Sequence, residues 1–221
     1  MAYRRTANVL RRLNARHDAI VDAARHAAAA GGMAAIQIAP VAERAGVAAG
    51  TVYRYFPGKI ELVGALVESV AEREIEAVRR AADAAPGPLS ALAAAIATFG
   101  ARALRDRKLA WAVIAEPVDT DTDVVRQKYR RDLGAEIETR IRAAIEGGHL
   151  PEQDAQFAAL GVLGLMLEGL IGPLAPANID DPVRSREAVQ TLALFALRGL
   201  GVVDAHARGL VVQTALPEAR S

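Results

Sequence analysis

Cysteine is absent from the 221 residues. That excludes a disulfide framework, a cysteine nucleophile and thiolate metal sites, and it fits a reducing compartment. Aromatic residues make up only 4% of the chain, so any pocket built on stacked rings has few residues to draw on. β-Branched runs with strict alternation are scarce, and no strand is required to account for any segment. The N-terminus, "MAYRRTANVLRRLNARHD", has arginines but no apolar core of a secretory signal, and a cytoplasmic location is expected. The stretch 157–175 approaches membrane-spanning length but contains Glu168, four glycines and Pro173, so no membrane association is expected. The four histidines, His17, His26, His149 and His206, are scattered, and neither a serine elbow nor a phosphate-binding loop occurs. An enzyme is therefore disfavoured, and neither a cofactor nor a metal is expected.

What the chain does contain is alanine, leucine, glutamate and arginine at helical spacing, with prolines and glycines between the periodic segments. The fold class expected is all-α. Helices are read at about 8–30, 40–45, 49–56, 59–84, 88–106, 108–115, 121–146, 152–172 and 182–199. Gly31-Gly32, Pro88, Pro117, Gly147-Gly148 with Pro151, and the loop 172–182 act as breaks. Asp119 and Asp121 are candidate caps of the 121–146 helix. Three units follow: 1–58, 59–203, and a tail at 204–221.

Charge is divided unevenly between these units. Residues 1–60 hold nine arginines and lysines against three acids, a surplus of +6, and the remainder holds 18 against 23, a balance of −5. A basic head on an acidic body suits a polyanion held at one end only.

The stretch "AGVAAGTVYRYFPGK" (45–59) gives this head its chemistry. On a helical wheel Val52 and Phe56 share the face that must be buried. Gly50, Thr51 and Arg54 lie opposite, with Tyr53 and Tyr55 at the edges. Glycine, threonine, valine and tyrosine are mediocre or poor helix formers, so packing has to hold this helix. Its bare outer face suits the major groove of DNA: small residues allow close approach, an arginine can pair with guanine, and hydroxyls can reach phosphates. Ala45-Gly46-Val47 supplies the bend of a helix-turn-helix. Lys59, a cation in the first turn of a helix, opposes the macrodipole unless a phosphate sits there too.

The span "IAPVAERAGVAAGTVYRYFPGKIELVGALV" (38–67) resembles the TetR/AcrR-type regulators. The matching positions are Val41, Ala42, Ala45, Gly46, Val47, Gly50, Thr51, Val52, Tyr53, Tyr55, Phe56, Lys59 and Leu62. The resemblance implies an N-terminal three-helix DNA-binding domain, a long connecting helix, and a C-terminal bundle that binds a ligand and dimerises. It implies backbone contacts from Thr51, Tyr53, Tyr55 and Lys59 and base readout around Ala49, Gly50 and Arg54, with Gln37 at the start of the preceding helix. Ala48 and Gly58 depart from the family pattern, which usually has a capping hydroxyl there. The function so implied is a repressor released from a double-stranded palindromic operator by a small apolar effector. A DNA-binding protein without an effector is the alternative.

Candidate effector-binding residues in the bundle are Phe99, Trp111, Ile114, Tyr129, Phe157 and Met166, with Glu116 and Glu168 as polar groups among apolar neighbours. Ordinary core packing is the favoured account of each aromatic or methionine, since such residues mostly fill space. Glu168, in an apolar helix, needs a partner or a shifted pKa. A homodimer is expected through the 155–172 and 182–199 helices, where the apolar surface, including Leu192, Phe195, Leu197 and Leu200, exceeds what one bundle covers. The arginines at 4, 5, 11, 12 and 16 form an arm that can reach the minor groove or remain solvated.

Overall fold

The computed structural model describes residues 2–117, 120–176 and 181–215, with side chains from residue 10 onward. Ten α-helices are present among the described residues, and no strand. The first three, α1 (Ala2–Gly31), α2 (Ile38–Arg44) and α3 (Ala49–Tyr55), form the head. α4 (Lys59–Asp83) leads into a bundle of α5 (Pro88–Arg105), α6 (Arg107–Ile114), α7 (Thr120–Glu146), α8 (Ala155–Met166), α9 (Pro182–Gly199) and α10 (Asp204–Gln213). α4 packs on both α5 and α7, α7 on α8, and α5 on α9, while α1 lies against α6 and α4. None of the described helices is long and apolar enough to cross a membrane.

Local chemistry explains most of the ends. Pro88 and Pro182 occupy first-turn positions of α5 and α9, where a missing N–H costs nothing. Asp106, Asp154 and Asp181 accept hydrogen bonds from the first backbone N–H groups of α6, α8 and α9. α2 is joined to α3 through Gly46 at φ 67°, a left-handed conformation that glycine adopts without a Cβ penalty.

Three sequence expectations need correction. The segment 204–221, expected as a tail, carries α10, whose Ala207, Leu210 and Val211 are buried against the bundle; their i, i+3, i+4 spacing is the signal that identifies it. Asp121 lies within the first turn of α7 rather than at its cap, and Asp119 lies outside the described residues. The helix expected at 152–172 is α-helical only to Met166 and ends in a wider π-helical turn, Leu167–Ile171.

Candidate nucleic-acid interface and inner cavity

The head is held together from inside. Ile20, Ala24 and Ala28 of α1, Val41 of α2, Val52 of α3 and Phe56 all belong to one apolar cluster; Val52 is 0% and Phe56 4% exposed. The His17 ring of α1 lies 5.1 Å from that of Phe56, centroid to centroid. Ala48, at the start of α3, has an extended backbone and makes no side-chain cap, and Gly58 at the start of α4 makes none either. Packing from behind therefore stands in for both capping and propensity.

The outer surface of α3 follows from that anchoring. Ala49, Gly50, Tyr53 and Arg54 are exposed, Thr51 is half-buried, and Lys59 is exposed at the first turn of α4. The Arg54 guanidinium lies 5.9 Å above the Tyr55 ring, a cation–π distance that steadies it. Gln37 is exposed at the start of α2 and donates from Nε2 to the Ala34 carbonyl at 3.1 Å.

Tyr55 departs from expectation. It is half-buried, its ring lies edge-on to His17 at 6.4 Å, and its hydroxyl is enclosed without a hydrogen-bond partner among the described residues. A residue one step from Phe56 on the wheel is drawn toward α1, so its oxygen is turned away from the outer face. Arg11, Arg12 and Arg16 are exposed along α1; the side chains of Arg4 and Arg5 lie outside the described residues.

Three of the eight candidate bundle residues come together. Phe99 of α5, Ile114 of α6 and Tyr129 of α7 line a cavity of about 250 Å³, together with Val70 of α4 and with Leu109 and Val113 of α6. Arg25 of α1 also borders it, so the cavity touches the head directly. Inside, Arg102 donates to Glu74 through Nε at 2.6 Å and a terminal nitrogen at 2.8 Å. This bidentate pairing raises the Arg102 pKa above its ordinary value. Burial pushes the Tyr129 phenol well above the ordinary tyrosine range, with the Glu74 carboxylate adding to the effect.

The other five lie elsewhere. Trp111 borders a separate surface depression with Ile171 and Pro173. Met166 is fully buried in the core. Phe157 is 77% exposed, and Glu168 is exposed on the π-helical turn, where water solvates the carboxylate and no partner is required. Glu116 accepts a hydrogen bond from the Met33 N–H at 3.0 Å and so ties the end of α6 to the head. Its carboxylate also crowds Gly32, where an added Cβ would stand 2.9 Å from Oε1 and where φ is 72°; glycine fits both constraints.

Sequence reasoning missed Arg126 of α7, which is 1% exposed and donates to the backbone carbonyls of Ala112 and Glu116. It ties α7 to the C-terminal end of α6, where cations are favoured. Nothing in its charged surroundings in sequence signals this burial.

On the far side of the bundle, Phe157 and Leu160 of α8 and Phe195 of α9 are exposed, and Phe157 and Phe195 border one shallow depression with Gly161 and Gly199. Leu192, Leu197 and Leu200 are instead buried within the protomer, so the uncovered surface is narrower than the sequence implies.

Residues 20–66 match the profile of the family described as bacterial regulatory proteins, tetR family. Over 72 residues the chain is 46% identical to the HTH-type transcriptional repressor KstR of Rhodococcus jostii (strain RHA1), a match covering 33% of this chain and 32% of that protein. The chain thus spans about a third of the length of the curated relatives it matches. Among solved structures, the fatty acid degradation regulator FadR from Bacillus halodurans superposes with a TM-score of 0.73 at 22% identity, covering 85% of this chain and 97% of that one. RolR in complex with resorcinol superposes at 0.67 and 22% identity, covering 95% and 98%. At such identities these two likenesses concern the fold.

Proposed function

With residues 20–66 forming a helix-turn-helix domain of the tetR family, we propose that the whole chain is a transcriptional repressor that binds operator DNA through α3 and releases it when a small molecule enters the inner cavity. The observation that carries the reading is the anchoring of α3: a helix with a bare, exposed outer face is pinned by Val52 and Phe56, a shape that suits the floor of the major groove.

In this reading Arg54 reads a base edge, Ala49 and Gly50 allow close approach, and Tyr53, Thr51 and Lys59 contact phosphates beside the first turn of α4. Tyr55 is left out of the contact set because its hydroxyl is enclosed. Gln37 keeps its place at the edge, within reach of the flanking backbone. Two protomers joined through the exposed Phe157, Leu160 and Phe195 surfaces present two such helices to half-sites one helical turn apart, about 34 Å. Repression is favoured over activation because the KstR relatives are repressors, and the protein acts in the cytoplasm, where the operator is.

Release follows by linkage: a ligand that prefers the arrangement with the heads out of register lowers operator affinity by that same preference. The contacts available to transmit it are α1, which borders the cavity through Arg25, and Glu116, which holds the Met33 N–H. The test is selection of bound genomic fragments by the purified protein. A palindromic consensus is expected; fragments with no enriched sequence would refute the reading.

A further inference from the structure

The composition of the cavity wall goes beyond the apolar pocket expected from the sequence. The floor is apolar, made by Val70, Phe99, Leu109, Val113 and Ile114, but four guanidiniums border it against two carboxylates: Arg25, Arg73, Arg102 and Arg105 against Glu74 and Asp106. Both carboxylates are already engaged. Glu74 is held bidentately by Arg102, and Asp106 accepts from the Leu109 N–H at 3.2 Å as the cap of α6. Arg25 is paired with Asp22, 3.0 Å away on its own helix. Arg73 has neither an ion pair nor a hydrogen bond among the described residues. It also borders the neighbouring groove that carries Glu68, Glu72 and Glu76, yet it pairs with none of them.

We propose that the cavity takes a small apolar acid: a compact hydrocarbon body against Phe99, Leu109 and Val113, with its carboxylate at Arg73 and the adjacent Arg102–Glu74 pair. A neutral ligand offers the exposed Arg73 guanidinium nothing beyond what water already gives it, whereas a carboxylate matches a guanidinium in both charge and fork geometry. The volume, about 250 Å³, lies just below the range of about 300–1,000 Å³ usual for drug-sized ligands, which favours a short acid over a nucleotide-bearing thioester. The proposal deepens the effector reading above and rests on it for any regulatory consequence.

The experiment uses the full chain and matched probes: octanoate against octan-1-ol, and 4-phenylbutyrate against 4-phenylbutan-1-ol, by calorimetric titration and thermal shift at pH 7. The acids are expected to bind at least tenfold more tightly than their alcohols. Arg73→Gln should weaken the acids about tenfold, the size of one lost charge-assisted contact, and leave the alcohols unchanged. Arg73 is exposed, so its loss leaves the fold intact; Phe99→Trp, which fills the floor, should abolish binding of all four and so locate the site. Alcohols binding as well as acids, indifference to Arg73→Gln, or no binding by any probe would each overturn the proposal. Acids that bind with this pattern but leave DNA affinity unchanged uphold the site and refute the effector reading instead.

Discussion

Replacing Phe56 by alanine should release α3 from the head while the bundle stays folded. α3 spans Ala49–Tyr55 and has no side-chain cap. Relative to an alanine helix, its glycine costs about 1 kcal/mol, and the threonine, the valine and the two tyrosines about 0.5 kcal/mol each, roughly 3 kcal/mol together. The missing hydroxyl at Ala48 adds about 1 kcal/mol. Opposing this, Val52 and Phe56 are almost wholly buried, and full burial stabilises by about 1.5–3 kcal/mol per side chain.

These opposing sums nearly cancel, so the loss of about 3–5 kcal/mol that accompanies a buried Phe→Ala change leaves the helix unsupported. Hydrogen exchange read by mass spectrometry should show the amides of 51–56 losing protection while those of α5 and α7 keep theirs, and DNA affinity should fall with them. Wild-type protection across α3 in the variant would refute the anchoring argument. The converse variant, Ala48→Ser, should slow exchange in α3 roughly fivefold by restoring about 1 kcal/mol of cap.

Further outcomes can be checked separately. Arg54→Ala should relax base preference at one position of each half-site, while Lys59→Ala should weaken all sequences alike and reduce the salt slope by about 1; identical profiles from the two would contradict their separate roles. Phe157→Glu combined with Phe195→Glu should yield monomers in sedimentation, and an unchanged dimer would rule out the α8–α9 surface. Glu116→Leu removes the acceptor of the Met33 N–H, a bond to a charged group worth about 1.5–3 kcal/mol. Ligand binding in the cavity should persist in that variant while its effect on DNA affinity shrinks, and equal coupling in both proteins would exclude this contact from transmission. The raised Tyr129 pKa makes its contribution to stability complete below about pH 10, the unfolded value, and lost as pH rises above it. The alkaline fall in melting temperature should therefore be shallower in Tyr129→Phe, and equal falls would refute the assignment.

The helices and the outward face of α3 were legible because they depend on neighbours in sequence. Prolines and glycines mark the breaks, and the four-residue spacing of Val52 and Phe56 sets which side of α3 is buried. What escaped depends on remote partners. The Tyr55 hydroxyl is enclosed near His17 of another helix, and Glu116 finds its donor 83 residues away. Phe157 illustrates a different obstacle: an apolar residue at helical spacing suits an inner wall or an outer contact equally, and only packing shows that it is exposed. The arginines around the cavity come from α1, α4 and α5, so no single stretch of sequence reveals that they surround one space.

α1 gives two distant tasks a common backbone. Its Arg25 borders the cavity, while its His17, eight residues and about 12 Å earlier, lies tilted against the ring that backs α3. A stiff rod cannot tilt at one point and stay put at the other. If the proposed release by a cavity ligand holds, heritable changes that desensitise the chain to that ligand should therefore accumulate along residues 17–25 as well as inside the bundle, and many of those alleles should also disturb operator choice.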